Sequence, residues 1–539
     1  MDAQVWQAIY ASGFAASTVA LVTWTLGERR SEIARFAPVV LLAGLVAMLA
    51  TVTLAQGEAG DRLFLLARDL LVQAAMAYAV RLLVKHPKVL WPALAVAGAV
   101  YYLYYREAQR VDVVQALSPP LAGAPLAPPE AAANAVPLDP SGELLVQFRH
   151  GPTGPWRAGL PSGTTTERAF ARLAEAPGGD PALLRALRNT FVVDLPGAGR
   201  DVRDLLDARG GAYVEQNERI AVAPIPSAPA EPARQGLSGP RDPRDVGLDD
   251  PEASRQWALT AWPYAAFANT TDALRDRLRP TRLFVLDSGV DATHPDLAGN
   301  YLSHDREGDR DGIGHGTHVA GIAGAVARNG LGVAGWLPRG EHEVKVSSIR
   351  VIGPLGFGTQ RSIVQGIIDA ANAGAAVINL SLGGRSTDAR QKIYAEAVRY
   401  ANERGAIVVV AAGNSAIDAR RYAPANTPGV IAVAALDNTL AQARFSNDVD
   451  GLEMGVWAPG QEIVSTVPGA GYGPFSGTSM AAPQVAGLLA VAKALEPELD
   501  TRDAYRLLRR AVAPSSAGTR DRPDVIDPSR LLEDLTGRD

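Results

Sequence analysis

The sequence predicts an α/β fold: a parallel sheet with helices on both faces, preceded by a small α+β domain and an N-terminal transmembrane helical region. Three observations carry this. From about residue 281, short β-branched runs alternate with helical patterns, and such alternation gives parallel strands joined by covering helices. Residues 141–223 show strand patterns at both ends and helical periodicity between, bounded by Pro-rich stretches. The first 105 residues hold four long apolar runs, more than a helical domain in water can bury.

The apolar runs are Val5–Leu26, Phe36–Ala55, Leu63–Val84 and Val89–Tyr105. The first is free of charge. The third is the weakest, because Arg68, Asp69 and Arg81 interrupt it. The fourth ends in Tyr101-Tyr-Leu-Tyr-Tyr105, a cluster suited to the membrane interface. Met1-Asp-Ala-Gln4 lacks the basic segment of a signal peptide. Arg29, Arg30 and Arg35 fall in the first loop, and Arg81, Lys85 and Lys88 in or beside the third. Only Arg62 marks the second loop, and Arg106 and Arg110 the exit. The bias places the first and third loops inside. Both termini and the C-terminal region are then extracytoplasmic on an integral membrane protein. If the third run does not cross, that region changes sides.

The division that follows is a transmembrane region at 1–110, a Pro/Ala-rich linker at 111–140, the small domain at 141–223 and a Pro-rich linker at 224–250. The main α/β domain spans 251–515 and a tail 516–539. In the small domain, strands are predicted at Glu143–Arg149, Thr190–Leu195 and Gly211–Ala223. Helices are predicted at Pro181–Arg188 and Asp201–Ala208, and a capping box at Thr164–Glu167 opens another to about Ala174. In the main domain, strands are predicted at Arg282–Asp287, Glu343–Arg350, Ala376–Ser381, Ile407–Ala412 and Val430–Ala435. Helices are predicted at His315–Arg328, Arg361–Ala373, Asp388–Arg404, Thr478–Leu495 and Arg502–Ala511.

Net charge is −5 and no basic stripe is visible, so no nucleic-acid partner is expected. The chain has no Cys, which excludes disulfides, a thiolate nucleophile and Cys-based metal sites.

Four segments carry chemistry. Phe475-Ser-Gly-Thr-Ser-Met-Ala-Ala-Pro-Gln-Val-Ala-Gly487 sets Ser479 in a turn opening an apolar helix, where unpaired backbone N–H groups favour developing negative charge. Leu283-Phe-Val-Leu-Asp-Ser-Gly-Val-Asp291 is a buried-strand pattern ending at Asp287. Gly314-His-Gly-Thr-His-Val-Ala-Gly321 starts a small-residue helix with His315. Ile407-Val-Val-Val-Ala-Ala-Gly-Asn414 is a buried strand ending in Asn. A hydroxyl, a base and a carboxylate to orient it are what nucleophilic acyl transfer requires.

In their order Asp, His, Ser, these segments resemble the subtilisin-like serine proteases over about Trp257–Leu495. The resemblance implies a membrane-anchored serine endopeptidase that hydrolyses peptide bonds, with protein or peptide substrates. Ser479 is then the nucleophile, His315 the base and Asp287 its orienter, and Asn414 shares an oxyanion hole with the Ser479 N–H. His318 and Asp291 are expected to be structural. Ser381, Leu382, Gly383 and Gly384 resemble the strand edge that pairs with substrate beside the first specificity pocket. Val351–Gly358, including Gly356, resembles the opposite wall, and Tyr422-Ala-Pro-Ala425 the cis-Pro turn near the pocket floor. Tyr213-Val-Glu-Gln-Asn217 gives the small domain the look of the family's propeptide, and Gln256-Trp-Ala-Leu259 resembles the start of the mature enzyme. No cofactor is required for catalysis. Structural calcium is implied at Asp296 and the Asn329 loop. The acidic run Asp305, Asp309, Asp311 is expected as a solvated loop, with a structural calcium site as the alternative. Ala482 and Gln484 depart from the family's Ser and His, with packing consequences only. The alternative is a catalytically silent membrane-bound scaffold for peptides, against which the intact set Asp287, His315, Asn414 and Ser479 argues.

Overall fold

The small domain comes first among the residues that the computed structural model describes. These are 140–148, 160, 164–170, 173, 179–194, 211–222 and 247–537, apart from 340–343, 355, 386–391 and 513–522. All lie in the unit Val136–Asp539. The apolar runs read as membrane spans, the first linker up to residue 139, the second linker up to residue 246 and the predicted helix Asp201–Ala208 fall outside them.

In the small domain, β1 (Pro140–Phe148), β2 (Thr165–Arg168), α1 (Pro181–Arg188), β3 (Thr190–Asp194) and β4 (Gly211–Val222) follow in order. β1 lies antiparallel between β3 and β4, and β2 pairs with β3. α1 begins with Pro181 and is capped by Asp180, whose carboxylate accepts the Ala182 N–H; it buries Leu183 and Leu187. The predicted capping box is a strand instead. Thr165–Arg168 finds a partner in β3, from Thr165 opposite Asp194 to Arg168 opposite Phe191. Its β-branched residues suit a pleated strand, and Ala169 and Phe170 beyond it are buried.

The main domain contains α2 (Trp257–Ala261), α3 (Tyr264–Ala273), β5 (Thr281–Asp287), α4 (His315–Gly324), β6 (Val344–Arg350), β7 (Phe357–Thr359), α5 (Gln360–Asn372), β8 (Val377–Leu380), β9 (Leu382–Arg385) and α6 (Lys392–Asn402). It continues with β10 (Ile407–Ala411), β11 (Tyr422–Ala423), β12 (Val430–Leu436), β13 (Gly455–Pro459), β14 (Ile463–Val467), β15 (Gly471–Phe475), α7 (Thr478–Leu495), α8 (Thr501–Arg510) and α9 (Pro528–Thr536). The central sheet runs β13-β12-β10-β8-β5-β6, and every pairing in it is parallel. Alternate residues of its strands face opposite layers. Leu283 and Val285 pack with the residues of α4 and α7, while Phe284 and Leu286 pack with those of α5 and α6.

Three local differences from the predicted elements have visible causes. α4 stops at Gly324, not Arg328, because the Val326 N–H donates to the Asp296 carbonyl at 2.8 Å and Arg328 turns to φ +58°. Gln484, a departure from the family pattern, accepts the Trp336 indole N–H. Trp336 in turn packs edge-on against Trp262, Tyr264 and Phe267. Within the segment read as a tail, α9 buries Leu531 and Leu532 in the core beside α3. Among the described residues one helix, α7, is long and apolar enough to cross a membrane, and it is almost wholly buried inside the fold.

Candidate active site

Asp287 ends β5, Asn414 lies just beyond β10, and His315 and Ser479 open α4 and α7. A parallel sheet delivers its strand carboxyl ends to one edge, where helix N-termini meet them. The His315 Nδ1 lies 2.8 Å and 3.0 Å from the two carboxylate oxygens of Asp287. Both residues are buried. An ionised carboxylate only accepts, so Nδ1 carries the hydrogen and Nε2 keeps its lone pair. Among the described residues, Nε2 has no hydrogen-bond partner.

Asp311 holds this pair in register. Its carboxylate accepts from Ser288 Oγ at 2.9 Å, from the Ile313 and Gly314 N–H groups at 2.9 and 2.8 Å, and from Thr317 N and Oγ1 at 2.8 and 2.7 Å. Ser288 Oγ also accepts the Gly316 N–H at 2.9 Å. One carboxylate therefore ties the end of β5 to the start of α4. The acidic run is thus more than a solvated loop. Asp305 accepts the Glu307 and Gly308 N–H groups, and Asp309 accepts the hydroxyls of Tyr301 and Ser303. The sequence places Asp311 in a solvated loop, although Asp311-Gly-Ile-Gly314 carries the pattern of an Asx-type turn.

On the other side, Ser479 Oγ donates to the Ser381 carbonyl at 3.1 Å, and Ser381 Oγ donates to the Ser479 carbonyl at 2.8 Å. Asn379 Nδ2 supports Ser381 Oγ at 2.9 Å. Asn414 Oδ1 accepts Thr478 N–H and Oγ1–H at 2.8 and 2.9 Å. A backbone N–H can only donate, so this orients the amide with its oxygen toward Thr478. Thr478 Oγ1 also accepts the Gly413 N–H at 2.9 Å. Sequence reading missed Thr478 as the link between the two turns.

Of the predicted substrate-binding residues, Leu382 and Gly383 pair with β4, opposite Val222 and Ala221. Gly384 pairs instead with Ala423 of β11. Gly356 sits in a turn at φ +83°. The neighbouring β7 makes the pairing on that side, with Thr359, Gly358 and Phe357 opposite Arg219, Ile220 and Ala221. The end of β4 thus lies between β7 and β9. Ile220 is buried with Ile352 and Leu382. Asn217 is buried too; it accepts the Arg361 N–H near the start of α5 at 2.9 Å and donates to Glu143 at 2.6 Å. Gln147 donates to Glu396, and Arg361 pairs with Glu167.

Asp296 and Asn329 also meet. Asn329 Nδ2 and the Val333 N–H donate to the Asp296 carboxylate at 2.8 and 2.9 Å, and Asp250 accepts the Arg328 and Asn329 N–H groups. Burial pushes both carboxyls above their usual range. Among the described residues, no cluster of three His, Cys, Asp or Glu side chains is arranged to hold a metal. His318 lies away from the chemistry. It stacks on Phe475 at 4.2 Å with Nε2 3.0 Å from the Gly473 carbonyl, and burial pushes it down to about 3.

Residues 281–526 match the subtilase family profile. The thermophilic serine proteinase of Bacillus sp. (strain AK1) is 44% identical over 212 residues, covering 38% of this chain and 50% of that one. Thermitase of Thermoactinomyces vulgaris is 42% identical over 213 residues, covering 38% and 72%. Subtilisin Savinase of Lederbergia lenta is 41% identical over 219 residues, covering 40% and 77%. The matched stretch therefore spans half the length of the first relative and about three quarters of the other two. With that extent of identity to two subtilisin-like enzymes, the chain belongs to the subtilase family.

Proposed function

We propose that this chain is a membrane-anchored serine endopeptidase whose small domain is a propeptide-like inhibitor. The observation that carries the enzymatic reading is the buried Asp287–His315 pair, with His315 Nε2 unpartnered among the described residues. In the reaction, Ser479 Oγ attacks the substrate carbonyl and His315 Nε2 takes its proton. Asp287 holds the tautomer and stabilises the imidazolium. The developing oxyanion takes hydrogen bonds from the Asn414 amide and the Ser479 N–H. His315 then protonates the leaving amine, and water releases the acyl group by the reverse steps.

The inhibitor reading is supported by the insertion of β4 between β7 and β9, since an extended peptide added to a strand edge is how such clefts take substrate. Self-cleavage between about Val222 and Asp250 would separate the inhibitor from the catalytic domain. Membrane anchoring rests on the apolar runs of residues 5–105, and the extracytoplasmic placement on their Lys and Arg bias. Calcium enters the reading only as a structural ion. Asp296 and the oxygens of the Asn329 loop would hold it.

The test compares the full-length chain with Ser479→Ala. A fluorophosphonate probe should label the first and not the second, and only the first should yield two fragments. Labelling with no fragmentation removes the processing step and leaves the small domain a spacer. Absence of labelling and hydrolysis refutes the enzyme. Reporter fusions after Arg30 and Lys88 should read cytoplasmic and one after Arg110 external; a cytoplasmic readout after Arg110 reverses the placement.

A further inference from the structure

Two strand ends flank Ser479, and both lack side chains where they face the ring of Tyr422. The first is β9, beginning beside Ser381. The second is the turn 412–414, tied to Thr478 through Gly413 N and Asn414. A Cβ added to Gly383 would lie 2.4 Å from Tyr422 Cε1, and one added to Gly413 would lie 2.7 Å from Cε1 and Cζ. The same ring edge therefore touches both walls. Gly413 also has φ +100°, a conformation that excludes most side chains. Tyr422 is 4% exposed, and burial pushes its phenol above the ordinary range, so the ring sits there as a neutral filler.

The walls cannot easily part. Tyr422 and Ala423 pair with Arg385 and Gly384 of β9. Asn447 pins the second wall, donating to the Ala412 carbonyl at 2.7 Å and accepting the Ser415 and Ile417 N–H groups at 3.0 and 3.1 Å. A strand bound as β4 is bound advances from Gly383 to Leu382, so its next residue reaches Ser381 and the nucleophile. Its side chain is then offered to the gap between the walls.

We propose that Tyr422 is a specificity-determining residue: it fills the slot beside Ser479 and restricts the residue on the acyl side of the scissile bond (P1) to Gly, Ala or Ser. This rests on the serine endopeptidase reading. In the sequence the residue after Val222 is Ala223, of the size the slot admits.

The experiment measures kcat/KM of the full-length protein on peptides differing only at P1, from Gly and Ala through Val and Leu to Phe, alongside fluorophosphonate labelling of Ser479. One methylene in a fitted pocket changes kcat/KM by about 10–200-fold, so P1 Ala should exceed P1 Phe by at least about 100-fold. Tyr422→Ala should raise the P1 Phe to P1 Ala ratio of kcat/KM by about that factor, while Tyr422→Phe keeps the wild-type order. The wild-type series decides the matter even if Tyr422→Ala fails to fold. Labelled protein that cleaves after Phe or Leu as well as after Ala overturns the slot and leaves the protease standing. A folded Tyr422→Ala with an unchanged P1 order overturns it as well. Protein that neither labels nor hydrolyses any peptide overturns both.

Discussion

Ser381 and Ser479 hold each other by two hydrogen bonds, each hydroxyl donating to the other's backbone carbonyl at 2.8 and 3.1 Å. The Ser479 hydroxyl proton therefore rests on a strand-edge carbonyl, while His315 Nε2 is unpartnered among the described residues. A substrate N–H arriving at that carbonyl competes for it and favours turning the hydroxyl toward His315.

Ser381→Ala keeps the carbonyl and removes the bond that steadies the Ser479 turn. A net hydrogen bond is worth about 1 kcal/mol, so kcat/KM on a P1 Ala peptide should fall by about fivefold. An unchanged value would mean the turn needs no such support.

Asn414→Leu removes the side chain proposed as an oxyanion donor. The expected loss is about 2.7–4 kcal/mol of barrier, the range already measured for such a donor in this family. It should appear mainly in kcat, with KM nearly constant. A pure KM effect would place Asn414 in substrate binding instead.

If the small domain is the inhibitor proposed above, Asn217→Ala should loosen it. Asn217 is buried and joins Arg361 N to Glu143, and unpairing a buried polar group costs about 1–3 kcal/mol. Uncut full-length protein should take up the fluorophosphonate probe faster, by about fivefold or more. Labelling at the wild-type rate would mean β4 does not guard Ser479.

His318 makes the fold acid-sensitive. Burial holds its imidazole near 3, against an ordinary 6.5, so the unfolded chain takes up a proton that the folded chain refuses. Its stability contribution is complete above pH 6.5 and is lost as pH falls toward 3. By pH 5 the loss is roughly 2 kcal/mol. Thermal midpoints at pH 7 and pH 5 should differ less in His318→Gln than in wild type; equal differences would assign the acid sensitivity elsewhere.

Strands with continuous apolar runs were legible in the sequence to within about a residue. The predicted Ile407–Ala412 is observed as Ile407–Ala411, and α7 has the predicted bounds Thr478–Leu495. Elements whose partner alone makes them regular were not. Thr165–Arg168 reads as a helix cap until β3 lies beside it, and the Gly-rich β15 shows no strand pattern until it pairs with β14. The site divides in the same way. Asp287, His315, Asn414 and Ser479 each stand in a recognisable local pattern. Asp311 acts through a turn whose donors lie on two other segments, and the contact of Tyr422 with Gly383 and Gly413 joins residues that only the folded chain brings together.

Every residue of α7 from Thr478 to Ala494 is buried. Ser479, the proposed nucleophile, is therefore mounted on an element whose interior amides exchange with solvent only when the whole domain opens. Heating should not erode catalysis gradually through fraying at the nucleophile. Working sites survive until cooperative unfolding removes Ser479, the Thr478 bridge and the sheet behind them in one event.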